Sequence, residues 1–131
     1  LIDQGTKFWV YTNNFSSFPV LGNFLKITLT LNPYGIFGLN FRIPYTFVAG
    51  VGILVLGWIF IKSKNNLISL ILGGAISSFI DRVRLGGVID WIDIGVKNYR
   101  WPIFNLADAG ITVGILLLIW GELSKKKKKK E

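Results

Sequence analysis

Three residue types are missing altogether from the 131 residues: cysteine, histidine and methionine. Without cysteine there is no disulfide, no thiolate metal site and no cysteine nucleophile. Without histidine the usual general base is gone and a Ser-His-Asp triad cannot be built within the chain. A zinc site loses its commonest ligand as well, so neither a metal nor a cofactor is expected. The lack of methionine, with a start at Leu1 already inside a hydrophobic pattern, leads us to expect a further segment upstream. Charge is also scarce: charged residues make up 17% of the chain against 51% hydrophobic, with a mean hydropathy of +0.51. Such a chain is too apolar for disorder or for a routine soluble domain, and its length suits one domain, residues 1–131.

The charge that is present is concentrated. The net charge of +8 comes from 15 Lys and Arg against 7 Asp and Glu, and Lys125 to Lys130 supply six of the basic residues. Basicity therefore belongs to a C-terminal tail rather than to a surface stripe. The tail reads either as simply solvated or as an anchor beside anionic lipid headgroups, and the apolar run ending just before it favours the anchor. The other basic residues are scattered and match no nucleic-acid motif, so no nucleic-acid partner is expected.

Long apolar runs are the dominant feature. Ile43 to Ile61 and Leu67 to Ile80 carry no charge, and Trp101 to Gly121 carries only Asp108. At about 1.5 Å per residue, the first and third can cross a hydrocarbon core of about 30 Å. The second crosses if it continues through Asp81 and Arg82. The expected architecture is a mainly α, polytopic membrane protein, with transmembrane helices over 43–62, 67–83 and 101–123 and a fourth ahead of Leu1. Small residues four apart (Gly73 with Ser77, Gly74 with Ser78, Gly110 with Gly114) fit close helix packing in lipid. Lys62, Lys64 and the 124–131 tail fall on one side, which the positive-inside rule makes cytoplasmic. Residues 1–42 and the 84–100 loop are then extracytoplasmic. The alternation in Leu25 to Leu31 and in Phe37, Leu39 and Phe41, around the turn Asn32-Pro33-Tyr34-Gly35, predicts an amphipathic hairpin lying on the membrane surface.

Acidic residues are few enough for their positions to be informative. Asp3, Asp81, Asp90, Asp93 and Asp108 all fall near the outer face in this topology. Asp108 lies about seven residues into its apolar run, roughly 10 Å down a helix, where an ionisable group is costly and usually functional. Asn105, Asp108 and Thr112 would form a polar stripe along that helix. The 84–100 connection can bring Asp90 to Asp108. Two carboxylates in one low-dielectric site share a proton, so one serves as base towards water and the other as acid towards a carbonyl. The residues equally permit Asp108 to pair with Arg82 or Lys7 and merely hold the bundle.

Five motifs in order make the chain similar to the lipoprotein signal peptidases (signal peptidase II). Asp3-Gln4-Gly5-Thr6-Lys7 resembles D-x-x-[ST]-K, which closes that family's first membrane helix. Asn32 to Gly38 resembles N-x-G-x-x-F, Gly73 to Arg82 resembles G-G-A-x-G-N-x-x-D-R, and Gly86 to Asp90 resembles G-x-V-x-D. Phe104 to Asp108 reproduces F-N-x-A-D. The resemblance implies a four-helix membrane aspartic peptidase with a small extracytoplasmic β element. It implies removal of signal peptides from bacterial prolipoproteins, just before a diacylglyceryl-modified cysteine, at the outer face of the cytoplasmic membrane. It also implies inhibition by the cyclic peptide globomycin. Asp90 and Asp108 would be the catalytic pair. Asn32, Arg82 and Asn105 would hold substrate or orient the pair, Arg82 meeting a lipid phosphate or substrate carbonyl. Asp3, Lys7, Asp81 and Gly86 would be supporting. Membrane lipid is an implied partner, and a monomer is expected.

The chain departs from the family pattern at Tyr34, where Gly is usual, and at Ser77 and Ser78, where Gly-Asn is usual. Ser78 lacks an amide, so a hydrogen bond made by Asn would be lost or bridged by water, and Tyr34 puts a ring in the turn. Two other functions fit fewer residues. A proton- or ion-coupled transport subunit would use Asp108, although no polar trail continues through Val113 to Ile119. A Ser-Lys peptidase would draw on Ser77 or Ser78 with Lys7, Lys26 or Lys97.

Overall fold

The computed structural model describes residues 1–34 and 44–128. The elements run α1 (Ile2–Asn13), β1 (Phe18–Leu21), β2 (Leu25–Asn32), α2 (Tyr45–Ser63), α3 (Asn66–Leu85), β3 (Val88–Val96), β4 (Tyr99–Arg100) and α4 (Leu106–Lys128). Three helices are long and apolar enough to cross a membrane: Tyr45–Ser63, Asn66–Leu85 and Leu106–Lys127. Their surfaces invert the pattern of a soluble bundle. No residue of α2 is buried, and Phe47, Leu54, Trp58 and Ile61 present their side chains outward. Outward apolar residues are what lipid requires, since lipid tails compete with helices for apolar contact.

Close helix approach is carried by small residues. A Cβ on Gly74 would stand 2.8 Å from the Ala107 carbonyl oxygen, and one on Gly114 would stand 2.6 Å from Ile71 Cγ1. These glycines set the α3–α4 contact. Gly73, on the other hand, faces open space, so only part of the small-residue pattern is packing. Asn65 opens α3 by accepting the Leu67 N–H.

The strands form one antiparallel sheet in the order β1-β2-β3-β4. Two of the spanning helices join it directly, through the connections α3 to β3 and β4 to α4. Gly86 ends α3 in the left-handed region at φ 74°, where its N–H bonds to Arg82 O. Gly87 follows with no room for a side chain, since a Cβ would lie 2.9 Å from Asn32 O. The chain thus passes from α3 into β3 within two residues.

Several expectations are revised. Residues 84–100, expected as a loop, contain β3 and β4. β3 reads as VIDWIDIGV, and it is buried on both faces for most of its length, so the polar alternation of a half-solvated strand is missing. The partners of β2 among the described residues are β1 and β3, and the expected second hairpin strand, Phe37 to Phe41, lies outside them. The Asp3–Lys7 motif does not close α1, which continues to Asn13. The last helix begins at Leu106 rather than 101, because Trp101 and Phe104 bond to β3 instead and Pro102 has no N–H to give.

Candidate active site

The polar groups missing from the helix surfaces are buried where the sheet meets the helices. Asp3, Lys7, Ser77, Asp81, Asp90 and Asn105 are buried there, and Asp93 is buried within the sheet between Thr28 and Arg100. Asp90 projects from β3 opposite Thr30 of β2, with Asn32 two residues along, opposite Val88. That diagonal places Asn32 and Asp90 on one face, and Asn32 Nδ2 donates to Asp90 Oδ2 at 3.1 Å.

Asn105 reaches the other carboxylate oxygen. Its Nδ2 donates to Asp90 Oδ1 at 2.7 Å, and its Oδ1 accepts the backbone N–H of Asp108 at 2.9 Å. The second bond is an N-cap, as an Asn before a helix start makes. The amide of Asn105, with no solvent exposure, therefore joins β3 to α4 and holds Asp90 beside the first turn of α4, which carries Asp108. Asp108 is at the head of its helix, not a third of the way down a helix starting at Trp101, because α4 begins at Leu106. There the helix dipole favours a negative charge.

The electrostatics of Asp90 follow from this setting. Burial pushes its carboxyl up from 3.8 to about 6. The charge of Asp108 pushes the same way, while the Asn32 and Asn105 donors and the Lys7 ammonium pull against it. Desolvation thus outweighs two hydrogen bonds to the charged form.

The remaining candidates form a second cluster behind the first. Lys7 Nζ pairs with Asp3 Oδ2 at 2.7 Å and with Asp81 Oδ2 at 2.8 Å. Asp3 Oδ1 accepts the Ala107 N–H at 2.9 Å, and Asp81 Oδ2 accepts the Ile89 N–H at 3.3 Å. The Ser77 hydroxyl donates to Asp3 Oδ2 at 2.7 Å. Lys7 and Ser77 are thereby committed to carboxylates, which leaves neither as base or nucleophile of a Ser-Lys pair. No ion pair joins Asp108 to Lys7 or Arg82 among the described residues.

Gln4 was assigned no role from the sequence. Its Nε2 donates to Ser77 O, Ser77 Oγ and Asp81 Oδ1 at 3.0, 3.0 and 2.8 Å. The signal was present: Asp3, Gln4 and Lys7 lie on one side of a helix at spacings of one and four. Arg82 donates to the carbonyls of Tyr34 at 2.8 Å and Pro33 at 3.4 Å, and its guanidinium lies 5.8 Å from the Tyr45 ring centroid. It thus holds the end of β2 and stays within electrostatic reach of Asp90 and Asp108. Asp93 pairs with Arg100 at 2.6 Å and accepts the Thr28 hydroxyl. The Ser78 hydroxyl, at the position where an amide was noted as usual, is buried with no hydrogen-bond partner among the described residues.

An open cleft of about 370 Å³ runs along the sheet, lined by Thr30, Leu31, Asn32, Pro33, Tyr34, Asp90, Pro102 and Ile103. It is mostly apolar, with Asp90 and Tyr34 among the residues of its wall. No cluster of acidic residues suited to a metal ion occurs among the described residues.

Comparison with known proteins agrees with this architecture. The family model described as signal peptidase (SPase) II matches residues 1–124. A lipoprotein signal peptidase of Syntrophus aciditrophicus (strain SB) is 35% identical, over 98% of this chain and 89% of that protein. One from Staphylococcus aureus (strain MRSA252) is 38% identical, over 100% of this chain and 86% of that protein. A solved bacterial membrane enzyme, determined by the in meso method at 2.3 Å, superposes with a TM-score of 0.86 at 35% identity, over 99% of this chain and 85% of that one. A second, at 1.9 Å, gives 0.79 at 36% identity, over 93% and 85%.

Proposed function

The chain belongs to the signal peptidase II family, and from that premise we propose that Asp90 and Asp108 cleave prolipoprotein signal peptides as an aspartyl dyad. Family membership makes the chain a multi-pass membrane protease that cleaves signal peptides from prolipoproteins. It leaves no footing for an ion-coupled transport subunit. The finer reading is that the cut falls just N-terminal to a diacylglyceryl-modified cysteine. The site faces the extracytoplasmic side of the bacterial cytoplasmic membrane, with Lys62, Lys64 and the lysine tail on the cytoplasmic side.

The observation that carries the dyad is Asn105, whose one amide binds the Asp90 carboxylate and the Asp108 backbone together. Both aspartates are partly or wholly withdrawn from water, and each raises the cost of a second negative charge. The pair then holds one proton. The ionised member takes a proton from the attacking water, while the protonated member donates to the scissile carbonyl oxygen. Asn32 and Asn105 occupy the two oxygens of Asp90 with N–H donors and fix its plane. The apolar cleft beside Asp90 suits the segment of signal peptide flanking the bond. All these residues come from one chain, which suits a monomer. Globomycin, a cyclic peptide, would compete for the same cleft.

The test is incubation of the purified protein with a diacylglyceryl-modified prolipoprotein, with and without globomycin. Cleavage is expected before the modified cysteine and is stopped by the inhibitor. Asp90→Asn and Asp108→Asn are each expected to remain folded and membrane-inserted without cleaving. Processing near the wild-type rate by either variant removes the dyad.

A further inference from the structure

Each aspartate of the proposed pair is preceded by a residue whose backbone N–H is held by a buried carboxylate. Ala107, before Asp108, donates to Asp3 Oδ1 at 2.9 Å. Ile89, before Asp90, donates to Asp81 Oδ2 at 3.3 Å. Both carboxylates end on the same cation, Lys7, at 2.7 and 2.8 Å. We infer that Lys7 is a positioning residue for cleavage: by bridging Asp3 of α1 and Asp81 of α3, it ties the start of α4 to β3 and fixes the spacing of Asp108 and Asp90. This rests on the dyad reading above.

The bridge is stiff for three reasons. Lys7 is 1% exposed and Asp81 3%, so water competes for neither. Every oxygen of the two carboxylates is occupied: Asp3 by Ala107, Ser77 and Lys7, and Asp81 by Gln4, Ile89 and Lys7. The four elements involved share no other buried ion pair among the described residues. A buried pair of this kind is a weak source of net stability but a strong register device, because breaking it leaves a buried charge. The alternative, a cation that only neutralises the bundle, does not require the carboxylates to end on the residues next to the reacting pair.

The bridge also sets charge. The groups around Asp90 are Asn32 from β2, Asn105 and Asp108 from α4, Lys7 from α1 and Arg82 from α3, with Asp81 of α3 bonded one residue away at the Ile89 N–H. Removing the positive charge of Lys7 makes ionisation of Asp90 harder. Removing the negative charge of Asp81 makes it easier. The two changes therefore move the high-pH limb of the rate profile in opposite directions. A residue that supports the fold without acting on the pair would move it in neither direction, and the fall in kcat at unchanged KM separates positioning from charge alone.

The experiment measures kcat, KM and the pH dependence of kcat for wild type, Lys7→Met, Asp81→Asn and Asp90→Asn in bilayer discs, with the lipidated prolipoprotein. Asp81→Asn keeps an oxygen for the Ile89 N–H and leaves Lys7 paired with Asp3, so it tests the bridge even if Lys7→Met fails to fold. Lys7→Met is expected to lower kcat about 100-fold and Asp81→Asn about tenfold, with KM within threefold of wild type. The limb is expected to move up in the first and down in the second. Folded Asp81→Asn with wild-type kcat, or a raised KM with kcat retained in either variant, overturns the inference. So does a limb that stays fixed in both. An active Asp90→Asn overturns the dyad reading instead, so the two failures are distinguishable.

Discussion

Two groups of buried carboxylates lie within a few residues of each other and are held in opposite ways. Asp3 and Asp81 end on a lysine ammonium, and Asp93 ends on the Arg100 guanidinium. Asp90 is held by the neutral amides of Asn32 and Asn105, and Asp108 makes no ion pair among the described residues. A carboxylate fixed by a cation has its charge settled and can only hold structure. A carboxylate fixed by amides keeps its place while its proton stays exchangeable, which acid–base chemistry requires. Both groups are acidic, buried and near the sheet, and only their partners separate them.

The sharpest way to break this contrast is to neutralise one member of each group. Asp90→Asn or Asp108→Asn should lower kcat by about 10³-fold, within the range removed with a general acid or base. Their thermal unfolding midpoints should not fall. Asp93→Asn should do the reverse, leaving cleavage within severalfold of wild type and lowering stability by about 1–3 kcal/mol. Arg100 is partly exposed, so the loss falls short of that for a fully buried pair. If Asp93→Asn matches Asp90→Asn in a cleavage assay, the contrast is void.

Asn105→Ala tests the link within the second group. It removes the donor to Asp90 and the cap of α4 together, so kcat should fall about 100-fold and stability by about 1–2 kcal/mol. Rates by single turnover and unfolding by intrinsic fluorescence would measure the two losses separately.

A smaller effect carries a definite sign. The Asp90 carboxyl is raised in the fold to about 6 from 3.8, so its contribution to stability is fully present below pH 3.8. That contribution is lost as pH rises through about 6, where burying the ionised form costs free energy. Asp90→Asn should therefore gain in unfolding midpoint relative to wild type as the buffer moves from pH 4 to pH 8. A relative loss over that range contradicts the raised value.

The smallest effect belongs to the outward surface of α2, with the packed α3–α4 contact as its contrast. Leu54→Ala on outward-facing α2 should leave kcat within twofold, whereas Gly114→Val should cost about 1–3 kcal/mol by driving a side chain into Ile71. Comparing their unfolding midpoints in the same detergent checks which face is packed.

The sequence was most legible where lipid sets the rule. Three apolar runs, two of them free of charge and the third carrying only Asp108, identify three helices, because a bilayer admits little else. It was least legible where polar residues hide in extended chain. β3 carries Asp90 and Asp93 yet is buried on both faces, so neither alternation nor a uniform apolar run marks it as a strand. Trp101 to Phe104 looked like helix because it is apolar, although Pro102 and the capping Asn105 signalled a later start. Motif resemblance gave roles to Asn32, Asn105, Lys7 and Asp81. Which amide and which ammonium they meet depends on tertiary contacts that no spacing encodes. Arg82, which the resemblance gives as holding substrate or orienting the pair, bonds the Pro33 and Tyr34 carbonyls, partners that only the closing of α3 on β2 provides.

The most direct measurement of whether Asp90 and Asp108 act as one site is carboxyl titration of Asp90 by NMR on labelled protein, in wild type and in Asp108→Asn. Asp90 should titrate near pH 6 in wild type and at a lower pH in the variant, because the neighbouring charge that opposes its ionisation has gone. An Asp90 that titrates in the ordinary carboxylate range, or one that does not respond when Asp108 is neutralised, would mean that the two aspartates do not share a proton.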